Sequence, residues 1–133
     1  MAGELDEESY RALADFRHEL RRFLRFSENA ARDAGLAPQQ HQALLAIRAA
    51  PDGRMLVGEL AERLLLRPHS ASELVARLES QGLAVRAPDA ADRRHVHIRL
   101  TERAATILAS LSVAHRAELQ RSGPMLHRLL EEL

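Results

Sequence analysis

The sequence contains no cysteine, which excludes disulfide bonds, thiol catalysis, cysteine-based zinc sites and thiol redox sensing. Tryptophan is absent and aromatic residues make up only 3% of the chain, so a core must be built from Leu, Ala, Val and Ile, which suits helices. Apolar runs are only a few residues long, and the acidic start MAGELDEES is unlike a signal peptide. These absences predict a cytoplasmic protein without a membrane span.

Lysine is also absent, and all 19 basic residues are arginines. With the abundant alanine, this composition is typical of a GC-rich genome and indicates a bacterial protein. Residues 1–33 carry six arginines against eight acidic residues, whereas residues 34–101 carry nine against seven. The middle of the chain is therefore slightly basic, although the net charge of zero weighs against a nucleic-acid partner.

The length of 133 residues, 46% of them hydrophobic, fits one globular domain. Apolar residues spaced three and four apart predict helices at 6–31, 38–49, 57–65, 68–80, 102–120 and 125–133. Pro38 and Pro68 suit the first positions of their helices, and Ser122-Gly123-Pro124 is expected to separate the last two. The first helix is long for so small a domain, so we expect it to need a partner surface.

Near the end of the segment 34–101, the spacing of apolar residues changes from the helical period of 3.6 to the strand period of two. Residues 95–101 alternate polar and apolar, which predicts a half-buried strand with 83–87 as its antiparallel partner. Residues 54–56 can form only a brief strand, and the charged segment 88–94 connects the other two. The fold class is therefore mainly α with a small antiparallel β-hairpin, in the element order of a winged helix-turn-helix.

The predicted helix 68–80 has the place of a recognition helix, which enters the major groove with its amino-terminal residues at the base edges. The polar residues exposed at its start and one turn further on are the predicted DNA contacts: Arg67, His69, Ser70, Ser72 and Arg77. At the hairpin tip, Arg93 and Arg94 are predicted to reach the narrow minor groove, with Asp92 fixing a guanidinium in one geometry.

Four segments resemble the MarR family of bacterial regulators. They are LAPQQHQALLAI at 36–47, ELAERL at 59–64, ELVARLESQGLAVR at 73–86 and PDAADRRHVHIRLT at 88–101. The last is the most specific, because it combines an Asp-x-Arg wing with an alternating strand that ends in Leu-Thr. The resemblance runs in register from Gly35 to Thr101 and more loosely to both ends.

The resemblance implies one domain, 1–133, in which helices in 1–33 and 102–133 form a homodimer around a winged-helix DNA-binding lobe at 34–101. It implies a pseudo-palindromic operator, with the two recognition helices in successive major grooves about 34 Å apart. The recognition-helix contacts carry over to Arg67, His69, Ser70 and Ser72. Arg94 falls on the minor-groove position, supported by Asp92.

The resemblance further implies a repressor that is released by a small lipophilic or phenolic acid, without a cofactor. Such an effector usually sits between the dimerisation helices and the DNA-binding lobe. Phe16, Leu20 and Phe23 are candidates for lining its pocket, although apolar residues at helical spacing more often pack in a core. His18 and His115, on the two presumed dimerisation segments, could meet near such a pocket.

Four positions depart from the family pattern. Arg67 stands where a capping serine is usual, and Ala37 replaces the hydroxyl cap of the second helix. Leu65 stands where glycine is frequent, which leaves the geometry of the turn open. Glu73 would repel phosphate unless it accepts from cytosine N4 or pairs with a neighbouring arginine.

The sequence also bears on four other interpretations. His95 and His97 share a strand face, but we expect that face simply to point outward, and no metal site is predicted. Arg77 can contact phosphate or pair with Asp92. No nucleophile elbow or glycine-rich phosphate loop is present, so no enzyme is predicted. The alternative is a winged-helix module that binds protein, as an antirepressor does, which Glu73 and the neutral net charge favour mildly.

Overall fold

The computed structural model describes residues 3–92 and 94–133, so the predicted wing residue Arg93 lies outside the described residues. The elements are α1 (Glu7–Asp33), α2 (Pro38–Ala49), a 3-10 turn (Pro51–Gly53), β1 (Arg54–Leu56), α3 (Val57–Leu64), α4 (Pro68–Ser80), β2 (Ala84–Pro88), β3 (Val96–Leu100) and α5 (Glu102–Glu131). The predicted fold class is confirmed, because helices dominate and the strands form one small antiparallel sheet.

Two helix starts follow from their capping residues. The Asp6 side chain accepts a hydrogen bond from the Ser9 backbone N–H at 2.8 Å, and Glu7 and Glu8 place negative charge at the positive end of the helix dipole. At α2, where Ala37 has no side-chain oxygen, Gln40 Oε1 accepts from the Ala37 N–H at 2.9 Å. The glutamine thus supplies one half of a capping box in place of the missing hydroxyl.

The predicted break at Ser122-Gly123-Pro124 is wrong, because α5 continues through Pro124 to Glu131. An interior proline removes one backbone hydrogen bond and typically costs about 3 kcal/mol or more. Tertiary packing offsets this cost, since α5 packs along α1 and has buried side chains on both sides of the proline, Leu111 before it and Leu129 after it. Local propensity therefore yields to the long contact between the two helices.

The sheet has the strand order β1-β3-β2, with both pairs antiparallel. The brief strand β1 thus extends the predicted hairpin, and Met55 lies opposite Ile98. His97 lies between Leu56 of β1 and Ala87 of β2, and its side chain is only 18% exposed. His97 is therefore less exposed than the outward face predicted for it, because Leu56 and Ala87 flank it and Asp89 bonds to its ring.

The core lies where α2, α3 and α4 meet the sheet and the first half of α5. Its largest fully buried side chains are Leu44, Ile47, Leu60, Leu78, Leu83, Ile98 and Val75. Burial of each such side chain typically contributes about 1.5–3 kcal/mol. Over residues 3–92 and 94–133, no helix combines the length and apolar character that crossing a membrane requires.

Within the described part of the chain, two buried residues are polar, Gln40 and His41. The His41 ring lies with its centroid 4.7 Å from that of His115. His115 Nδ1–H donates to the Leu111 carbonyl at 2.7 Å, and in the neutral ring Nε2 accepts from the Ser27 hydroxyl at 2.8 Å. Burial, and then the charge of His115, lower the pKa of His41. His41 is therefore held neutral where a free histidine begins to charge.

We expect the free energy of unfolding to fall as pH is lowered from 7.5 to 5.5, with His41 contributing to the fall. The unfolded chain binds a proton at His41 near pH 6.5, whereas the folded state, with a depressed pKa, resists it. The contribution of His41 is thus present above that pH and lost below it. His41→Phe should lose less free energy over this interval in urea unfolding at fixed protein concentration. The exposed His18→Phe is the control, and a native-like loss in His41→Phe would contradict the assignment.

Candidate nucleic-acid interface

One side of α4 faces solvent and the other packs in the core. The buried side consists of Ala71, Leu74, Val75 and Leu78. The sequence-predicted contact residues are all exposed: Arg67, His69, Ser70, Ser72 and Arg77. The first four lie together at the amino end of the helix and Arg77 lies nearer its carboxyl end, so the packing of α4 presents a polar surface.

The turn between α3 and α4 resolves the question raised by Leu65. Leu65 adopts a left-handed conformation, with φ of 57°, as the C-cap of α3. Its backbone therefore has the geometry that glycine adopts easily, at a cost of roughly 1–2 kcal/mol for an L side chain. The side chain is 92% exposed, so an apolar group projects from the turn just before Arg67.

Arg67 is the N-cap of α4, and its side chain makes no capping hydrogen bond in the described structure. The amino end of α4 therefore keeps backbone donors free, where the helix dipole favours negative charge. Glu73 pairs with a histidine rather than with an arginine, because His69 Nε2 lies 3.0 Å from Glu73 Oε1. Both side chains are exposed, so the pair contributes little to stability but partly offsets the acidic charge of Glu73 when His69 is protonated.

Asp92 holds the Arg94 side chain at the tip between β2 and β3. Arg94 Nε and Nη2 donate to the two carboxylate oxygens of Asp92, each at 3.1 Å, and the Arg94 backbone N–H donates to Oδ1 at 3.0 Å. These bonds, first from the Arg94 side chain and then from its backbone, lower the pKa of Asp92. The Arg94 side chain is 88% exposed. A fixed and exposed guanidinium therefore projects from the hairpin.

A second carboxylate, which sequence reasoning missed, holds the connecting loop of the same hairpin to β3. His97 Nε2 lies 3.0 Å from Asp89 Oδ2, and the Ala91 N–H donates to Asp89 Oδ1 at 2.8 Å. The hydrogen bond with His97, followed by that from Ala91, lowers the pKa of Asp89. The sequence held one signal, an aspartate in the predicted loop and a histidine in the strand that follows it, but pairing them required the strand register.

The carboxyl half of α4 is linked to the hairpin through a different pair from the one considered in the sequence. Asp92 bonds to Arg94 and lies 3.9 Å from His95, and among residues 3–92 and 94–133 it forms no ion pair with Arg77. Instead, Arg86 Nε of β2 donates to Glu79 Oε1 of α4 at 2.6 Å. The hairpin is therefore joined to the carboxyl end of α4 through β2, and Arg77 stays exposed.

A cleft of about 440 Å³ lies between α1, α2 and α5. Residues that line it include Phe23, His41, Leu45, Ser112, His115 and Leu119. Phe23 is one of the three predicted pocket residues, whereas Phe16 and Leu20 lie earlier on α1 and do not line this cleft. His115 meets His41 and Ser27 here instead of His18. His41 was missed because its neighbours come from two distant helices.

The outer surfaces of α1 and α5 carry exposed apolar side chains. The larger ones are Tyr10, Leu13, Leu20, Leu24, Val113, Leu119, Met125 and Leu130. Scattered exposed leucines are common on proteins, but here they recur along the two helices that lie outside the winged region. These helices thus expose an apolar surface in the single chain.

The comparisons with known proteins agree with this architecture. The family model described as MarR family matches residues 34–95. None of the curated proteins matches the chain. Among solved structures, a MarR family protein from Bacillus stearothermophilus has a TM-score of 0.76 at 24% identity, covering 89% of this chain and 81% of that chain.

Two further solved structures share the fold. The MarR family transcriptional regulator AbsC from Streptomyces coelicolor has a TM-score of 0.74 at 21% identity, over 90% of this chain and 81% of its own. A C80S mutant of MarR from E. coli, complexed with operator DNA, has a TM-score of 0.61 at 24% identity, over 92% of this chain and 80% of its own. The resemblance to the MarR family is therefore confirmed, since the family's model matches the segment from residue 34 to residue 95.

Proposed function

We propose that this chain is a sequence-specific DNA-binding transcriptional regulator that acts as a homodimer. The observation that carries the proposal is the exposed Arg94 guanidinium, held by both oxygens of Asp92 at the tip of a hairpin. It occurs in the same lobe, 34–101, as a helix whose polar side is exposed at its amino end. Operator DNA bound to a fold neighbour supports the same interpretation.

Each of the two elements has a separate task in this proposal. Arg94, already oriented by Asp92, enters the narrow minor groove, where the negative potential is strongest. Because its rotamers are restricted before binding, less conformational entropy is lost when DNA is bound. Arg93, the other wing residue predicted from the sequence, is assigned a second positive charge for DNA in this proposal. The wing thus contributes affinity more than sequence selectivity.

The amino end of α4 reads base edges in the major groove. Ser70 and Ser72 contact bases or phosphates, Arg67 and His69 extend this surface, and Arg77 contacts the backbone further along. When His69 is protonated, its pairing with Glu73 reduces the repulsion that an unpaired acid would exert on phosphate. Sequence preference therefore resides in α4, and the register on the duplex is set by the arginines.

Dimerisation joins the helices in 1–33 and 102–133 of two copies. Their exposed apolar side chains supply the surface that a second copy covers, which accounts for the length of α1 and α5. A dimer places two copies of α4 in successive major grooves about 34 Å apart, and its twofold symmetry calls for a pseudo-palindromic operator.

The cleft beside Phe23 accepts a small lipophilic or phenolic acid. Its walls are largely apolar, and Arg116 stands at it as a partner for a carboxylate or phenolate. A ligand that binds better when the two copies of α4 are wrongly spaced shifts the dimer toward that state and releases the operator. Regulation in this proposal is therefore repression relieved by the ligand.

A second candidate function is binding of a protein partner by the same lobe. It is favoured by the net charge of zero and by the exposed Leu65 at the turn before α4. The two functions differ in their salt dependence. Binding of DNA weakens steeply as salt rises, because phosphate contacts release counterions, whereas an apolar protein contact changes little.

Selection of bound sequences from random double-stranded DNA tests the proposal directly. We expect an enriched pseudo-palindrome whose half-sites lie about 10 base pairs apart centre to centre, because the dimer presents one α4 to each half-site. Binding to the enriched sequence should fall steeply between 50 and 200 mM salt. Failure to enrich any sequence, together with salt-independent capture of a protein, would support the second candidate instead.

Arg94→Ala should weaken binding to the selected operator and to unrelated DNA alike, by about tenfold at fixed salt. The reason is that a wing guanidinium contributes positive charge and recognition of groove shape rather than base contacts. Its loss should therefore also reduce the slope of log affinity against log salt by about one. Fluorescence anisotropy titrations at several salt concentrations measure both quantities. The exposed Arg128→Ala near the end of α5 is the control with the same charge change.

Ser70→Ala provides the contrast within the same assay, because it removes a proposed base contact without changing the charge. It should change the ranking of operator variants at one half-site position more than the affinity for unrelated DNA. If Arg94→Ala binds both kinds of DNA with native affinity, the assignment of the wing is wrong.

Leu24→Arg should convert the dimer to monomers. The side chain is 52% exposed in the single chain, and burying an unpaired guanidinium at an interface raises the dissociation constant of the dimer by at least about 100-fold. Sedimentation equilibrium measures this change. Val85→Arg, which adds the same charge at an exposed apolar residue of β2, should stay dimeric. A monomeric native chain, or a dimeric Leu24→Arg variant, would refute the interface.

A further inference from the structure

The carboxyl end of α4 is held by side chains from two other helices and the loop before one of them. Gln40 Nε2 of α2 donates to the side-chain oxygen of Gln81, the C-cap of α4, at 2.8 Å. Arg103 Nη1 of α5 donates to the Gln81 carbonyl at 2.5 Å, and the Thr101 hydroxyl donates to the Gly82 carbonyl at 2.7 Å. The proposed recognition helix is thus fixed at the end opposite its proposed DNA contacts.

Gln40 differs from the other partners because it is buried, with only 5% of its surface exposed. Both polar ends of its amide are used, since Oε1 accepts from the Ala37 N–H and Nε2 reaches Gln81. A buried amide bonded at both ends has little freedom to reorient, because any other orientation leaves a polar atom unsatisfied. Gln40 therefore fixes the distance between the start of α2 and the end of α4.

A small tilt of α4 about its carboxyl end becomes a larger displacement at its amino end. The 13 residues of α4 span about 20 Å at 1.5 Å per residue. A tilt of about 5° about the carboxyl end therefore moves the amino end by roughly 2 Å, which exceeds the tolerance of a hydrogen bond to a base edge. The amino end has no side-chain cap of its own within the described structure, so it depends on anchoring elsewhere.

The residue after Gln40 is His41, which lies in the cleft against His115. The first turn of α2 thus places the Gln40 side chain against the carboxyl end of α4 and the His41 side chain in the cleft. We propose that Gln40 is a positioning residue that sets the orientation of α4. We further propose that a displacement of His41 shifts this first turn of α2, and that the shift changes the orientation of α4 through the bond between Gln40 and Gln81. The inference rests on the proposed function, since it concerns DNA recognition by α4.

Gln81→Ala tests the link without disturbing the core, because Gln81 is exposed and keeps its backbone bond to Arg103. The dissociation constant for the selected operator should rise about three- to tenfold, the range expected for one net hydrogen bond. Affinity for unrelated DNA should stay native, and the thermal unfolding midpoint should fall modestly, because the buried Gln40 Nε2 loses its acceptor. A purely structural role would instead weaken binding to the operator and to unrelated DNA by the same factor.

Two glutamine variants of α2 serve as matched controls. Gln42→Ala removes an exposed glutamine of the same helix and should bind the operator like the native protein. Gln40→Glu keeps the oxygen that caps α2, and the Gln81 amide can turn to donate to the new carboxylate. Because both hydrogen bonds can be kept, Gln40→Glu should bind the operator with near-native affinity. Such rescue by a conservative change is what a positioning role requires.

The second part of the proposal is tested with His41→Phe, which keeps a ring against His115, in the native and Gln81→Ala backgrounds. If the turn carries the effect, His41→Phe changes operator affinity in the native background and changes it much less when Gln81 is alanine. Equal effects in both backgrounds, or no effect in either, would refute the coupling, because independent sites give additive changes.

The outcomes also separate this inference from the proposed function. A native chain that selects no DNA overturns the proposed function, and the inference falls with it. A native chain that binds its operator while Gln81→Ala binds equally well leaves the function standing and refutes the positioning role of Gln40.

Discussion

The constraint on which the rest of the molecule depends is the burial of one side of α4. Ala71, Leu74, Val75 and Leu78 pack into the core, which fixes the rotation of the helix about its own axis. The residues between them must then face solvent, because a helix of period 3.6 cannot bury both sets at once. Every proposed contact on α4 is a consequence of this apolar packing.

Apolar packing sets the rotation of α4 but leaves its tilt less well determined, because dispersion contacts are not directional. Hydrogen bonds and ion pairs are directional, and those that join α4 to other elements lie at its carboxyl end. Gln40 and Arg103 hold its C-cap, and the bond between Glu79 and Arg86 joins it to the hairpin. The lobe thus combines a core that supplies stability with polar links that supply geometry.

The sequence predicted what local pattern controls. The bounds of α2 and α4 were predicted to the residue because Pro38 and Pro68 mark their starts. The predictions failed where distant segments decide. Pro124 lies inside α5 because α5 packs along α1, and His97 is covered because β1 pairs with β3. The bond from Gln40 to Gln81 spans 41 residues, which no periodicity can reveal.

The net charge of zero is the strongest sequence argument against a DNA partner, and the geometry of the lobe weakens it. Phosphates respond to the charges that face them, since exposed charges are screened beyond about 10 Å. Three acids on α4 and the hairpin have a basic partner: Asp92 with Arg94, Glu73 with His69 and Glu79 with Arg86. Arg77 on α4 and Arg67 at its N-cap stay exposed. Of the eight acidic residues in 1–33, none lies in the proposed lobe, so total charge is a poor guide to the charge that α4 and the wing present.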